Sequence, residues 1–433
     1  MSTPLIWFVF MNLSILLKPG YCTETSDQVL SITPQTQEQV DILRNVSTHY
    51  ETVLWQPVSN EYISTQVQVH LYVPANSSVT VKAILQKHGI THKVLLANPN
   101  VLTEMQMKND STDPRSGSTF YERYHTLEEI YDWINRTAQD NPRTVKAILI
   151  GSSYEKRPLY VLKLSFNDRP NRKAMWIDCG IHAREWISPA FCLWFVHHSL
   201  SFYQQNTEIT RILDSMDVYV LPVMNPDGYK YTWTAIKRRW WRKNRSISNS
   251  GFCVGVDLNR NFDVDWGIKG SSQNPCEEIN CGPFPESEPE TQAVANFLRR
   301  HKNIVQLYIT IHSYSQMLIF PYSYTFDQAE NHNDLLEMVQ EAAQRIKRHY
   351  RNTYTYGPGA ATLYPSSGGS DDWAHKLGIK YSFTFELQDR GEYGFLLPPS
   401  HISGACNEAL LAVKTVGVKV LEKAQAPANH HTI

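Results

Sequence analysis

The run His182-Ala-Arg-Glu185 sets an imidazole and a carboxylate in one short stretch, directly after the apolar segment Ala174–Asp178 that reads as a strand. In open α/β sheets, sites form outside the carboxyl ends of strands. A neutral imidazole and a carboxylate in one turn can take adjacent corners of a zinc tetrahedron. Alone the pattern is weak, because His125-Thr-Leu-Glu128 repeats it at the start of a capped helix, where it reads as surface. A third donor discriminates. His312 ends another strand-like run, Val305–Ile311, and two His with one Glu leave the fourth corner open to water, as a catalytic zinc requires. A lone His at a strand end is more often a packed core residue, so this assignment depends on the chemistry assembled around it.

The elements that must position these residues alternate. Strand-like runs occur at Lys146–Ile150, Leu159–Leu164, Ala174–Asp178, Val218–Val223, Val305–Ile311 and Tyr381–Leu387. Helical periodicity lies at Pro189–Tyr203, Pro289–Arg300, Asn333–Arg348 and Asn407–Glu422, and Thr126–Glu129 is a capping box opening one more amphipathic helix. The alternation predicts a large α/β/α sandwich around a mixed, mostly parallel twisted sheet. Ahead of it, Gln28–Asn98 reads β-α-β-β-α-β, with strands at Val53–Trp55, Val67–Val73 and Lys93–Leu96 and helices at Gln39–Val46 and Val79–Gln86. That order predicts a small ferredoxin-like α+β domain. Between the two lies the polar, turn-rich stretch Lys108–Ser118, read as an exposed linker open to a trypsin-like protease at Arg115.

With 433 residues, 42% of them hydrophobic, and a net charge of −1, the chain has the make-up of an ordinary globular protein. It shows no character of a nucleic-acid-binding or disordered chain. Pro4–Leu17 is apolar but short, so it reads as a secretory signal peptide rather than a span, and no later stretch is long enough for stable membrane insertion. Sequons at Asn45, Asn76, Asn109, Asn135 and Asn244 agree with secretion; Asn45, Asn76 and Asn109 are the expected glycosylation sites, and Asn244 is read as a chance match. Seven cysteines become six once the signal is removed with Cys22, an even number suited to disulfides outside the cell.

Asp178-Cys-Gly-Ile-His182-Ala-Arg-Glu185-Trp, Asp257-Leu-Asn259-Arg260-Asn, Ile311-His312-Ser-Tyr and Phe383-Thr-Phe-Glu386-Leu together resemble the zinc metallocarboxypeptidases of the pancreatic A/B type. The likeness runs from about residue 28 to 422, and Trp55-Gln-Pro-Val, Asp113-Pro-Arg115 and Ile379-Lys-Tyr-Ser-Phe-Thr resemble its plasma B-type branch. The resemblance implies one Zn²⁺ held by His182, Glu185 and His312, with Glu386 as general base and Arg242 stabilising the oxyanion. It implies substrate contacts from Arg184, Asn259, Arg260, Ser313, Tyr314 and Tyr364. An exopeptidase must hold a free carboxylate, which a guanidinium fork such as that of Arg260 does well. An apolar setting is expected to raise the pKa of Glu386 and suit it to proton exchange.

In the segment Ser370-Asp371-Asp372-Trp373, Asp371 stands where B-type enzymes carry an acid, which implies substrates ending in Lys or Arg. The resemblance further implies a signal peptide at 1–22, an inhibitory activation propeptide at 23–115 and a catalytic domain at 116–433, released by cleavage between Arg115 and Ser116. The implied activator is a trypsin-like serine protease, thrombin or plasmin, and the implied substrate is C-terminal Lys on partly degraded fibrin in plasma, where its removal slows fibrinolysis. Disulfides Cys179–Cys192 and Cys253–Cys276 follow from the same likeness. Three departures stand out: Gly267 follows Trp266 where relatives have a cysteine, which leaves Cys281 without its family partner, and Gln388 and Arg390 alter the loop after Glu386. Rival readings are an A-type enzyme taking apolar C-terminal residues, which Asp371 opposes, and a non-catalytic zinc or peptide-binding relative, which would have lost the base or an arginine.

Overall fold

The structure, a computed structural model, describes residues 26–108, 120–167, 169, 172–248 and 251–425. The expected signal segment, Asn109, the cleavage pair Arg115 and Ser116, and residues 426–433 lie outside the described residues. Within the described residues no helix is long and apolar enough to cross a membrane.

The amino-terminal unit has the expected order. Strands β1 (Gln28–Ile32), β2 (Val53–Gln56), β3 (Val69–Val73) and β4 (His92–Leu96) form an antiparallel sheet ordered β2-β3-β1-β4, crossed by helices Gln37–His49 and Ala75–Lys87. Thr36 starts the first helix by accepting from Gln39 N. Leu30, Val40, Leu43, Val69, Leu71, Val81 and Leu85 meet in a core belonging to this unit alone. A further helix, Pro99–Met107, follows with Pro at its first turn; its nine residues are too few for the periodic pattern to announce it.

The larger unit carries eight strands: β5 (Val145–Ser152), β6 (Pro158–Leu164), β7 (Lys173–Cys179), β8 (Met216–Leu221), β9 (Val305–Ser313), β10 (Met317–Phe320), β11 (Thr355–Pro358) and β12 (Tyr381–Leu387). Their spatial order is β11-β10-β12-β9-β7-β8-β6-β5, parallel through the centre from β12 to β8 and antiparallel at β12–β10, β8–β6 and β6–β5. Both faces are covered, as a central parallel sheet demands. Met175, Ile177, Leu307, Ile309, Ile311, Phe383 and Phe385 face the helices Ile187–Ser201 and Ile402–Gln425. Their neighbours Trp176, Tyr219 and Tyr308 face Pro289–His301 and Ser370–Lys376. Strands β10 and β11 and the helices Thr207–Ser215, Pro226–Thr232 and Ser370–Lys376 were not expected; all are short, and the two strands have only four residues each.

The capping box at Thr126 and Glu129 is present in both directions. One expectation beside it fails. His125 is not a surface residue: it is 3% exposed, stacks on Phe120 with ring centroids 3.7 Å apart, and its Nε2 lies 2.7 Å from Phe120 O. The ring is buried by the chain segment that precedes the helix, which periodicity within the helix cannot register. Asn244 is fully buried and donates to Glu288 and Glu290, so it has no face to offer a glycan. Asn45, Asn76 and Asn135 are exposed.

Candidate active site

The candidate catalytic and metal-binding side chains gather at the carboxyl ends of β7, β9 and β12. His182 stands three residues past β7 in a turn closed by Glu185 N donating to His182 O, and Ala183 N ties that turn to Arg242 O. His312 and Glu386 face each other in the parallel register of β9 and β12, and therefore share one face of the sheet. Glu185 bridges the two imidazoles: its Oε1 lies 2.7 Å from His182 Nδ1 and its Oε2 3.1 Å from His312 Nδ1, while the two Nδ1 atoms are 3.1 Å apart. All three residues are buried, and their donor atoms fall within 4.8 Å of one another.

This donor set fits zinc. The far nitrogen of His182 is committed to Asp257 Oδ1 at 3.1 Å, which leaves Nδ1 as the ligating atom. Two ring nitrogens 3.1 Å apart with a carboxylate bridging them make a cluster that one shared cation would satisfy, and three nitrogen and oxygen donors leave a corner open.

Asp257 joins the metal-binding side of the cleft to the arginines. It accepts Nε and Nη2 of Arg242 on Oδ2 at 3.0 and 2.9 Å, and Asn259 N on Oδ1. Burial opposes its ionisation, but Arg242, His182 and Arg260 outweigh burial and hold the carboxyl well below the usual range. The motif Asp257–Asn261 carries the family resemblance through Asn259 and Arg260, whereas the role of Asp257 comes from the contacts it makes here. A carboxylate two positions before the Asn-Arg pair was the available signal.

All twelve candidate catalytic, metal-binding and substrate-binding residues line one cavity of ≈ 80 Å³. Several buried polar atoms there have no partner: Arg184 Nε and Nη2, Arg260 Nη2, Ser313 Oγ and Asp371 Oδ2. Arg260 is braced by Gly270 O and Asn259 O, so its remaining nitrogen projects without one. Burial pushes the Glu386 carboxyl above its usual range, and His312 pulls it down without cancelling the effect. Burial also raises Asp371, at the start of the helix Ser370–Lys376. Its neighbour Asp372 does something else, accepting Ser323 N and Tyr324 N to hold a loop.

The amino-terminal unit roofs this cavity with Trp55, Gln56, Pro57 and Val58. Trp55 packs on Trp240 and Phe395, Tyr62 stacks on Tyr364 at 4.4 Å and donates to Pro365 O, and His70 Nδ1 lies 2.8 Å from Tyr314 Oη. Gly270, at φ +65°, gives Tyr62 its room; a Cβ there would sit 2.0 Å from the Tyr62 hydroxyl oxygen.

Cys179–Cys192 and Cys253–Cys276 are disulfides, whereas Cys281 and Cys406 are buried and free, not joined to each other. The altered loop after Glu386 is held by Asp389, whose carboxylate accepts the amides of Gly391, Tyr393 and Gly394.

This fold and donor set define a zinc-dependent peptidase with its own covering domain, and the chain belongs to the zinc carboxypeptidase family. Residues 130–412 match the family model described as zinc carboxypeptidase, and residues 30–106 match that of the carboxypeptidase activation peptide. The protein is a metallocarboxypeptidase, and its family uses zinc. It is 51% identical to carboxypeptidase B2 of Bos taurus over 91% of this chain and 93% of the relative. Carboxypeptidase B of Homo sapiens is 43% identical over 92% of this chain and 94% of the relative. A solved structure of thrombin activatable fibrinolysis inhibitor matches with a TM-score of 0.89 at 50% identity, covering 92% of this chain and 99% of that one.

Proposed function

We propose that this chain is a secreted zymogen that, once cleaved between Arg115 and Ser116, removes C-terminal Lys and Arg from peptides and proteins. The observation that carries the specificity is Asp371: a buried carboxylate with one oxygen unpartnered, opening onto the cleft beside Asn259, Arg260 and Tyr364. An ammonium or guanidinium group would relieve that oxygen by a charge-assisted bond. The segment 1–22 is the signal peptide, 23–115 the activation propeptide and 116–433 the catalytic domain. Asn45, Asn76 and Asn109 carry glycans.

In this reading Arg260, with Asn259 beside it, holds the terminal carboxylate of the substrate, and Tyr364 closes on it once Tyr62 has withdrawn. Arg184, Ser313 and Tyr314 hold the chain on the other side of the scissile bond. His182, Glu185 and His312 hold zinc, which when bound lowers the pKa of water to about 7 and polarises a carbonyl. Glu386 takes the proton of the attacking water and delivers it to the leaving amine, a task for which a raised carboxyl pKa is suited. Arg242, fixed by its two bonds to Asp257, offers its outer nitrogen to the developing oxyanion.

The likeness to thrombin activatable fibrinolysis inhibitor supports thrombin or plasmin as activator and C-terminal Lys on degraded fibrin as the plasma substrate. The test is a panel of peptides differing only in the last residue, assayed before and after trypsin-like cleavage and with a chelator. Hydrolysis of Lys and Arg peptides is expected only after cleavage and only with metal. Asp371→Ile is expected to lose the basic preference, by about 2–5 kcal/mol for a buried charge pair. Equal rates on Phe- and Lys-terminated peptides in the unsubstituted enzyme would refute the B-type reading.

A further inference from the structure

The two imidazoles of the donor set are backed in different ways. His182 Nε2 meets the carboxylate of Asp257 directly, whereas the atom beside His312 Nε2 is the hydroxyl oxygen of Thr310, at 3.2 Å. That hydroxyl lies 2.6 Å from Asp178 Oδ1. The other oxygen of Asp178 accepts the indole nitrogen of Trp176 at 2.7 Å. Asp178 and Thr310 are fully buried, and His312 is 1% exposed.

This chain of contacts follows from the sheet. Asp178 on β7 and Thr310 on β9 are cross-strand partners in the parallel register. Thr310 and His312 are two residues apart on one strand and so point to the same face. A hydroxyl has one hydrogen to give. At 2.6 Å from a carboxylate oxygen the Thr310 hydrogen goes to Asp178, which turns a lone pair toward His312 Nε2. That nitrogen must then carry hydrogen, and in the neutral ring His312 Nδ1, on the Glu185 side, is the bare nitrogen.

We propose that Thr310 is a positioning residue for the zinc site: it accepts the Nε2–H of His312, hands its own hydrogen to Asp178, and so fixes the ring and tautomer that present Nδ1 to the metal. This inference rests on the reading of His312 as a zinc ligand. Thr310 touches neither substrate nor reacting atoms, so its effect is on metal retention first and on turnover through it. Where a metal-bound His is supported by a second residue, losing that support typically weakens metal binding about 10- to 100-fold.

The experiment measures zinc affinity of the full-length protein by competition with a chromophoric chelator, alongside thermal unfolding. Thr310→Val keeps the shape of the side chain and removes the hydroxyl; Thr310→Ser keeps the hydroxyl and removes the methyl. Thr310→Val is expected to bind zinc about 10- to 100-fold more weakly, Thr310→Ser to stay near the unsubstituted protein, and His312→Ala to lose zinc most severely. If Thr310 merely satisfies Asp178, Thr310→Val lowers the melting temperature but leaves zinc affinity intact, which overturns the relay. If His312→Ala retains full zinc affinity, the ligand reading fails and the relay with it. Should Thr310→Val not fold, Thr310→Ala is put through the same competition and the same outcomes decide.

Discussion

The floor and the roof of the cleft differ in the charge of the polar groups they leave unsatisfied. The roof leaves the uncharged Trp55 Nε1 and His70 Nε2 without partners, the floor mostly charged side chains. On the floor, Arg184, Arg260, Ser313 and Asp371 each keep a buried polar atom without a partner. Such atoms cost about 1–3 kcal/mol each, which a sheet covered on both faces can bear. The roof meets the floor through packed rings and apolar side chains: Val29, Trp55, Tyr72 and Leu96 on one side, Trp240, Tyr314, Phe395 and Leu396 on the other. A few hydrogen bonds are added by Tyr62, His70 and Gln106. A covering unit held mainly by packing, with its own core behind it, can leave without taking the internal bonds of the floor with it. The unsatisfied groups are then free for a substrate that carries the missing charges.

The strongest way to test this contrast is to damage the floor alone. Glu386→Gln keeps shape and removes the proposed base, and kcat/KM of the cleaved enzyme is expected to fall about 10²- to 10⁴-fold. Peptide assays check this, and an unchanged melting temperature shows that the roof still docks. Trp55→Ala attacks the roof. It removes a ring packed on Trp240 and Phe395, and a loss of about 3–5 kcal/mol in docking is expected. The measurement is faster hydrogen exchange in β2 and β3 of the uncleaved protein, with no change in turnover after cleavage; unchanged exchange would mean that the packing contributes little.

A pH series sharpens the comparison further. Burial lowers the pKa of His70 from 6.5 to about 4, so the docked state favours the neutral ring. Its contribution is complete above about pH 6.5, declines as pH falls because the released state takes up the proton first, and is fully lost near pH 4. Exchange in β3 is therefore expected to accelerate across that window, and His70→Phe to flatten the dependence; parallel curves for the two proteins would exclude His70 as the source. The smallest effect is expected of Tyr62→Phe, which removes one hydrogen bond to Pro365 O and about 0.5–1.5 kcal/mol of docking, seen as a slight rise in exchange around residue 62.

Much of this was legible in the chain itself. The β-α-β-β-α-β order of the first unit and the six longer strands of the second follow from apolar runs and their spacing. Nine of the twelve site residues fall in the four short motifs that carry the family resemblance, and Arg242, Tyr364 and Asp371 were named on the same resemblance from other segments. What escaped was of two kinds. Four-residue strands such as β10 and β11 contain too little pattern to stand out from a loop. Residues that act by supporting others, Asp257 and Thr310 among them, look in sequence like ordinary polar residues, since their meaning lies in a partner 75 or two positions away.

The sequence by itself determined which side chains are available: two imidazoles and a carboxylate for a metal, a Glu on an apolar strand, the arginines, and an aspartate in the specificity segment. Residue type and local pattern set those chemistries, and both are written along the chain. Only the tertiary structure decided which nitrogen of each histidine faces Glu185, that Asp257 serves His182 and Arg242 together, that His125 is buried, and that Trp55 and Tyr62 close the cleft. These depend on strand register and on contacts between segments far apart in the chain. Burial then alters the energy of every polar group it encloses, an effect that no single stretch of sequence carries.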